Sequence, residues 1–352
     1  MENRKRNIRL LSFKELTDFI LSINVEKYRA KQIYEWIWQK NINSFEEILN
    51  IPKALKNKLD ENFSINRLTC ISENISNDKT VKFAFKTYDN KLIESVLIPN
   101  ENRSTACISI QTGCALNCSF CATAKVKELR NLNISEIIDQ VLELNLNSIN
   151  NLNHKLSNIV YMGMGEPLLN YQNLLDSIKL ITSEYGLNFS PTRITVSTSG
   201  ISNMIKQLAD DNVKFNLAIS LHSAIDNIRS ELMPINKKFN LNSLTESIKY
   251  YHSKTKQRIT FEYLLLKNVN DSIKDAKALA EYCKSFPCKI NIIEFNKVED
   301  KSISKSNEST KEKFINYLKS KNLIVNIRNS RGQDINAACG QLANIIKNNN
   351  SA

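Results

Sequence analysis

Three thiols stand in the run Gly113-Cys114-Ala115-Leu116-Asn117-Cys118-Ser119-Phe120-Cys121, at the spacing C-x3-C-x2-C. Thiolates crowded into so short a loop repel one another unless a metal holds them. A structural zinc site asks for four protein ligands. No neighbour completes that set, because Cys107 lies back along the chain and His154 far ahead. A [4Fe–4S] cluster usually takes four cysteines as well. With three, one iron keeps an open position for a small molecule. Zinc is the conservative alternative, and buried structural thiols are the bland one.

Such a loop needs a scaffold. Strand patterns begin near Thr105, Asn158, Thr192, Val213, Arg258 and Cys288, with a last one near 323–328, and helical stretches lie between them. Ile134, Ile137, Ile138, Val141 and Leu142 form one helical stripe, with Asn133 as the cap and Glu136 completing a capping box. Repeated βα units predict a parallel sheet. Six or so units suit a full or partial (β/α) barrel, in which chemistry gathers at the strands' C-terminal ends. The thiol loop directly follows the first of these strands. Ahead of it, residues 13–62 read as short helices, with Pro52 at a helix start. Residues 68–98 read as strands with a turn at Asp89-Asn90, and Pro99-Asn100-Glu101-Asn102 reads as a boundary. The expected units are a helical module over 1–66, a β-hairpin extension over 67–100, the α/β domain over 101–347 and a tail at 348–352. The Ser/Lys/Asn-rich stretch 297–310 reads as a polar loop near the active face.

The chain has 352 residues, 48 Lys plus Arg against 36 Asp plus Glu, and a net charge of +12. That balance points to a polyanionic partner such as nucleic acid, with a lysine-rich solvated surface as the plain alternative. No apolar run approaches the ~18 residues of a membrane span. The N-terminus lacks a signal-peptide core, so a cytoplasmic location with reduced thiols is expected.

Other residues carry chemistry by position. Gly163 and Gly165 follow a strand and let backbone approach a ligand, while Glu166 offers a carboxylate to a ligand ammonium. Ser197, Ser220 and His222 sit at expected strand ends. Cys339 lies in the loop Ala338-Cys339-Gly340. Cys107 alternates with Ser109 and Gln111, which puts the three on one strand face. Glu94 shares a face with Leu92, Val96 and Ile98. If buried there, its pKa rises and suits acid–base work; the alternative is a charge that guards a sheet edge. Cys70, Cys283 and Cys288 match no motif and read as structural.

The thiol spacing, with an aromatic before the last Cys, resembles the signature of radical S-adenosylmethionine (SAM) enzymes. The wider stretch from Cys107 to Cys121, then Arg130-Asn131-Leu132, Gly163-Met164-Gly165-Glu166-Pro167-Leu168, Ser197-Thr198-Ser199-Gly200, Ser220-Leu221-His222, Pro234-Ile235-Asn236-Lys237-Lys238 and Asn268-Val269-Asn270-Asp271 resembles one branch of them. That branch is the dual-specificity 23S rRNA and tRNA (adenine-C2) methyltransferase family, the RlmN type. The segment from Arg331 to Leu342 is the most family-specific, and the likeness runs from about residue 10 to 345.

The resemblance implies a partial (β/α)6-type radical SAM barrel with a small N-terminal module. It implies a [4Fe–4S] cluster on Cys114, Cys118 and Cys121 whose open iron takes exchangeable SAM. Gly165, Glu166, Ser197, Ser220, Leu221, His222 and Asn296 would line the SAM pocket. One SAM methylates Cys339. Reduction of a second yields a 5′-deoxyadenosyl radical that takes a hydrogen atom from the S-methyl group. The carbon radical adds to adenine C2, Glu94 accepts the C2 proton, and Cys107 attacks the Cys339 sulfur to leave a transient disulfide. The implied partners are 23S rRNA, tRNA and a low-potential electron donor such as flavodoxin, with the enzyme a monomer free of membranes. Basic residues at 4–9 and 26–31 are candidates for phosphate contacts. Val126-Lys127 departs from the family's usual Gly-aromatic pair, and the loop after Asn296 lacks its proline- and glycine-rich segment. Two other readings stay open: the sister activity at adenine C8, and a metal-stabilised RNA-binding protein without catalysis.

Overall fold

The computed structural model describes residues 5–296 and 303–343. Arg4, residues 297–302 of the polar stretch and the expected tail at 348–352 lie outside the described residues.

The chain opens with strand β1 (Arg6–Asn7) and helices α1 (Phe13–Ser22), α2 (Tyr28–Trp38) and α3 (Lys53–Asn62). Strand β2 (Phe63–Ser64) returns to pair parallel with β1. Ser12 and Glu15 close a capping box on α1, and Pro52 is the N-cap of α3. Leu16, Ile20, Ile33 and Ile37 bury the facing sides.

The strands β3 (Thr69–Ile75), β4 (Val81–Lys86) and β5 (Leu92–Asn100) run antiparallel. Asn90 takes the left-handed turn conformation at φ 64°. These strands are not a detached hairpin. β5 pairs antiparallel with β6 (Arg103–Cys107), and Pro99 and Asn100 stay in the ladder, so only Glu101 and Asn102 turn where the sequence reads as a boundary. The row of apolar residues in β4 and β5 is long because both strands are interior, covered on each side.

From β6 onward the strands are parallel and the links are helical. The order is α4 (Ile134–Leu152), β7 (Asn158–Tyr161), α5 (Tyr171–Thr182), β8 (Ile194–Thr198), α6 (Ser202–Asp210), β9 (Asn216–Ser220), α7 (Asp226–Leu232) and α8 (Leu241–Thr255). Then come β10 (Ile259–Leu265), α9 (Ile273–Cys283), β11 (Cys288–Glu294), α10 (Glu308–Ser320) and β12 (Val325–Arg328). The predicted starts fall within about three residues of these strands. The mixed sheet has the order β12-β11-β10-β9-β8-β7-β6-β5-β4-β3, with β12 and β3 as its edges. No helix among the described residues is long and apolar enough to cross a membrane.

Helix α4 joins the parts. Its capping box forms as predicted, with Asn133 Oδ1 accepting the Glu136 N–H at 3.0 Å and Glu136 Oε2 accepting the Asn133 N–H at 2.9 Å. Asp139 then takes both terminal nitrogens of Arg9, at 2.9 and 2.6 Å, and the Leu68 N–H at 2.9 Å. The Arg9 guanidinium also lies 4.8 Å over the Trp38 ring. The next residue, Gln140, accepts the Ser109 N–H at 2.7 Å and donates to the Ser109 carbonyl at 3.0 Å. One turn of helix holds both the N-terminal module and the segment leading to the thiol loop.

Candidate active site

A cavity of ≈ 260 Å³ opens at the C-terminal ends of the parallel strands. Its wall includes Cys114, Cys118 and Cys121, then Gly165, Glu166, Ser197, Ser220, His222 and Asn296, and the thiols of Cys107 and Cys339. Leu221 and Glu94 are not among the lining residues.

The three-thiol loop is fixed locally. Asn117 turns it in the left-handed conformation, Ser119 N–H donates to Leu232 O at 2.9 Å, and Cys121 N–H donates to Cys118 O at 3.2 Å. Cys118 and Phe120 pack on an apolar cluster of Leu232, Met233, Leu264 and Phe295. Burial pushes the Cys114 thiol up to about 12 and raises that of Cys118 as well. Coordination reverses such a preference, because the thiolate is the ligand. Among the described residues no group of three or more His, Cys, Asp or Glu side chains is gathered to hold a single ion. Three soft donors from one loop, beside a cavity with polar strand ends, fit an iron–sulfur cluster with a small-molecule ligand.

Gly163 and Gly165 serve packing. A Cβ on Gly163 would stand 2.7 Å from the Ile108 carbonyl, and one on Gly165, at φ 99°, would stand 2.5 Å from Gln111 Cβ. The strand segment, not a ligand, occupies that side. Glu166 is buried and its carboxyl is raised by burial, against the opposing pull of its donors. Its two oxygens accept the N–H groups of Leu168 at 3.1 Å and Ser199 at 2.8 Å. A carboxylate has roughly four lone-pair sites, so acceptor capacity remains.

His222, two residues past the end of β9, adopts φ 56°. Its Nδ1 accepts the Leu264 N–H at 3.0 Å, and its ring meets Phe120 edge-on at 4.7 Å. Burial, then the nearby Arg229 charge, lowers its pKa to about 3. Leu221 is fully buried in the main core, and its backbone is engaged by Glu262 and Arg229. Asn296 donates to the Cys339 carbonyl at 3.3 Å and accepts from Gln333 Nε2 at 3.0 Å.

Cys107 is buried at the end of β6, and Cys339 is exposed. Burial, then the neighbouring Cys339, pushes the Cys107 thiol up to about 12. Arg328 lines the same wall, with Nη1 3.4 Å from Glu262 Oε2. Burial opposes its charge, but Cys339, Glu262 and Cys107 outweigh that and hold its pKa above the ordinary value. Glu94 pairs with Lys82 Nζ at 3.2 Å and accepts the Ala343 N–H at 2.9 Å. It sits behind the Cys339 segment, on an interior strand, so it guards no sheet edge.

Two further residues support the site: Arg229, which stands in no motif, and Asn270, whose motif the sequence shows without its role. Arg229, fully buried, donates to the carbonyls of Leu221 (3.1 Å), Ser199 (2.6 Å) and Ser220 (3.3 Å), and to Asn236 Oδ1 (2.6 Å). Asn270 donates to the carbonyls of His222 and Leu264, at 2.6 and 2.7 Å. The motifs at 234–238 and 268–271 therefore brace the strand-end loops rather than face the cavity. The only available signal was their presence as motifs, since the partners are distant in sequence.

Known proteins share this fold and most of this sequence's length. Residues 6–65 match the ribosomal RNA large subunit methyltransferase N-terminal domain, and residues 108–280 match the radical SAM superfamily. A Nautilia profundicola protein described as "Dual-specificity RNA methyltransferase RlmN" is 43% identical, over 90% of this chain and 92% of its own. A Flavobacterium johnsoniae protein with that description, qualified as probable, is 48% identical over 98% and 99%. The crystal structure of a radical SAM methyltransferase from Sphaerobacter thermophilus superposes with a TM-score of 0.90 at 35% identity, over 96% of this chain and 99% of that one. With both family models, near-complete relatives and a matching fold around the three-thiol loop, the chain belongs to the RlmN family of radical SAM methyltransferases.

Proposed function

We propose that this protein methylates carbon 2 of an adenine in 23S rRNA and in tRNA, acting as a cytoplasmic monomer with a low-potential, flavodoxin-type donor. One observation carries the reading: a single cavity wall holds the three-thiol loop together with two further thiols, Cys107 and Cys339. Membership of the radical SAM superfamily brings SAM and a [4Fe–4S] cluster. Cys114, Cys118 and Cys121 would hold that cluster, leaving one iron for SAM, and two SAM molecules would serve each turnover. Gly165, Glu166, Ser197, Ser220, His222 and Asn296 would surround SAM, with Leu221 acting only through the backbone it fixes.

Adenine C2 lies between two ring nitrogens and is electron-poor, so it does not attack a methyl donor directly. When bound, the cluster and SAM supply the methyl group and a reductive route to hydrogen-atom abstraction. Cys339 takes the methyl on its sulfur and carries it, exposed, to the base. Cys107 then attacks the Cys339 sulfur and breaks its bond to the carbon, which leaves with the electron pair and takes up a proton to become the methyl group; a disulfide remains, and the odd electron left by the radical addition would return to the cluster when that is bound. Glu94 accepts the C2 proton, which requires the Cys339 segment to shift, because Glu94 lies behind it. The base must leave its stack to enter the cavity, and the +12 charge favours the phosphates around it.

The test is anaerobic reconstitution with iron, sulfide, SAM, a reductant and unmodified rRNA or tRNA fragments. The expected products are 5′-deoxyadenosine and an adenine methylated at C2, read by mass spectrometry of digested RNA. Methylation at C8 would assign the sister activity. A colourless, zinc-loaded protein that leaves SAM intact would overturn the enzymatic reading.

A further inference from the structure

The β3–β4 turn and the segment after β12 exchange carboxylates. Asp334 accepts from Ser76 Oγ at 2.6 Å and from the Asn77 N–H at 3.0 Å. Asp78 accepts the Gly332 N–H at 3.0 Å. Gly332 is left-handed, at φ 65°, and a Cβ there would stand 2.7 Å from Ala337 Cβ and 2.9 Å from Thr80 Cγ2. Lys82 Nζ adds a bond to the Asn336 carbonyl at 3.5 Å. Donors from Ser76 and Asn77 hold the Asp334 carboxyl below its ordinary value. At Asp78, burial acts upward, but donors from Thr80 and Gly332 prevail. The turn and the segment belong to opposite edges of the sheet, and Cys339 follows a few residues beyond Asp334.

We infer that Asp334 and Asp78 are positioning residues, a reciprocal latch through which the β3–β4 turn holds the Cys339 segment against the cavity with its thiol in reach of Cys107. This deepens, and rests on, the reading of Cys339 and Cys107 as the reacting pair. Neither aspartate lines the cavity. Asp334 is exposed at the rim, so its loss loosens the segment without opening the core.

The test uses the reconstituted holoenzyme without RNA, treated with diamide. The two thiols become one disulfide, and two electrons and two protons pass to diamide, which becomes the hydrazine. Mass spectrometry of the Cys107–Cys339 cross-linked peptide gives the rate. Asp334→Ala and Asp78→Ala should each slow it by about tenfold, the low end for a lost hydrogen bond to a charged group. The double variant should be no slower than the slower single, because both belong to one latch. Asp78→Asn keeps an acceptor for the Gly332 N–H and should recover most of the rate. Iron content should match the wild type throughout. Should an alanine variant fail to fold, Ser76→Ala, which removes one donor alone, takes its place. Unchanged rates in the singles and the double would overturn the latch. A wild type that methylates no RNA while its cross-linking still depends on Asp334 would sink the functional reading and leave the latch standing.

Discussion

The backbone N–H of Ala122 donates to the Gly340 carbonyl at 2.7 Å, one residue past Cys121 on one side and one past Cys339 on the other. Thr123 Oγ1 repeats the tie to the Leu342 carbonyl at 2.7 Å. The three-thiol loop and the Cys339 segment are one hydrogen-bonded unit, so the order of each depends on the other.

Replacing the thiols separates their roles. Cys339→Ala should abolish methyl transfer, because the carrier atom is gone. Cys107→Ala should accumulate a covalent protein–RNA adduct, visible as a band of reduced mobility on denaturing gels. Full turnover by the Cys339→Ala protein would defeat the two-thiol mechanism.

Arg229 ties together the two strand-end segments that follow β8 and β9 at the cavity. Arg229→Met leaves buried carbonyls without donors and should cost roughly 3 kcal/mol or more, since each buried acceptor left unsatisfied costs about 1–3 kcal/mol. Arg229→Lys should not restore SAM binding, since an ammonium cannot span the same acceptors. Urea denaturation and equilibrium dialysis with SAM check the two effects separately.

His222 gives the stability a defined pH slope. Its folded pKa of about 3 lies below the ordinary imidazole value of 6.5, so the unfolded chain binds the extra proton between those values. Stability from this group is therefore complete above about pH 6.5 and falls as pH drops toward 3, by up to about 1.4 kcal/mol per unit. Urea midpoints at a series of pH values should fall less steeply for His222→Gln than for the wild type. Equal slopes would mean that His222 titrates as it does in the unfolded chain.

Gly165→Ala meets both a positive φ and the Gln111 backbone, whose nitrogen would lie 2.9 Å from the new Cβ. The expected loss exceeds about 2 kcal/mol. Calorimetry should show a lowered Tm, with the iron content of the reconstituted protein falling alongside it. An unchanged Tm would show that Gln111 moves aside freely.

What the sequence made legible was local. Asn133 and Glu136 cap a helix within one turn, and each parallel strand announces itself by a short apolar run. The thiol loop is visible because all three donors fall within eight residues. Alternation puts Glu94 on the face of Val96, and it is buried, but its partners Lys82 and Ala343 lie across strands and across the chain. The strands at 69–100 looked separable because Pro99 and Asn100 resemble a linker, whereas register with β6 makes them part of the main sheet. Arg229 and Asp139 have no local pattern at all, and Asp334 stands in a motif whose sequence says nothing of its partners. Each works by joining segments that only the completed fold brings together.

The sheet's two edge strands are bridged by side chains and loop backbone instead of a further ladder. Parting Asp334 from Ser76 and Gly332 from Asp78 would therefore break no bond of the β-ladders. The join between the two rims is chemically separable from the pleated framework it closes.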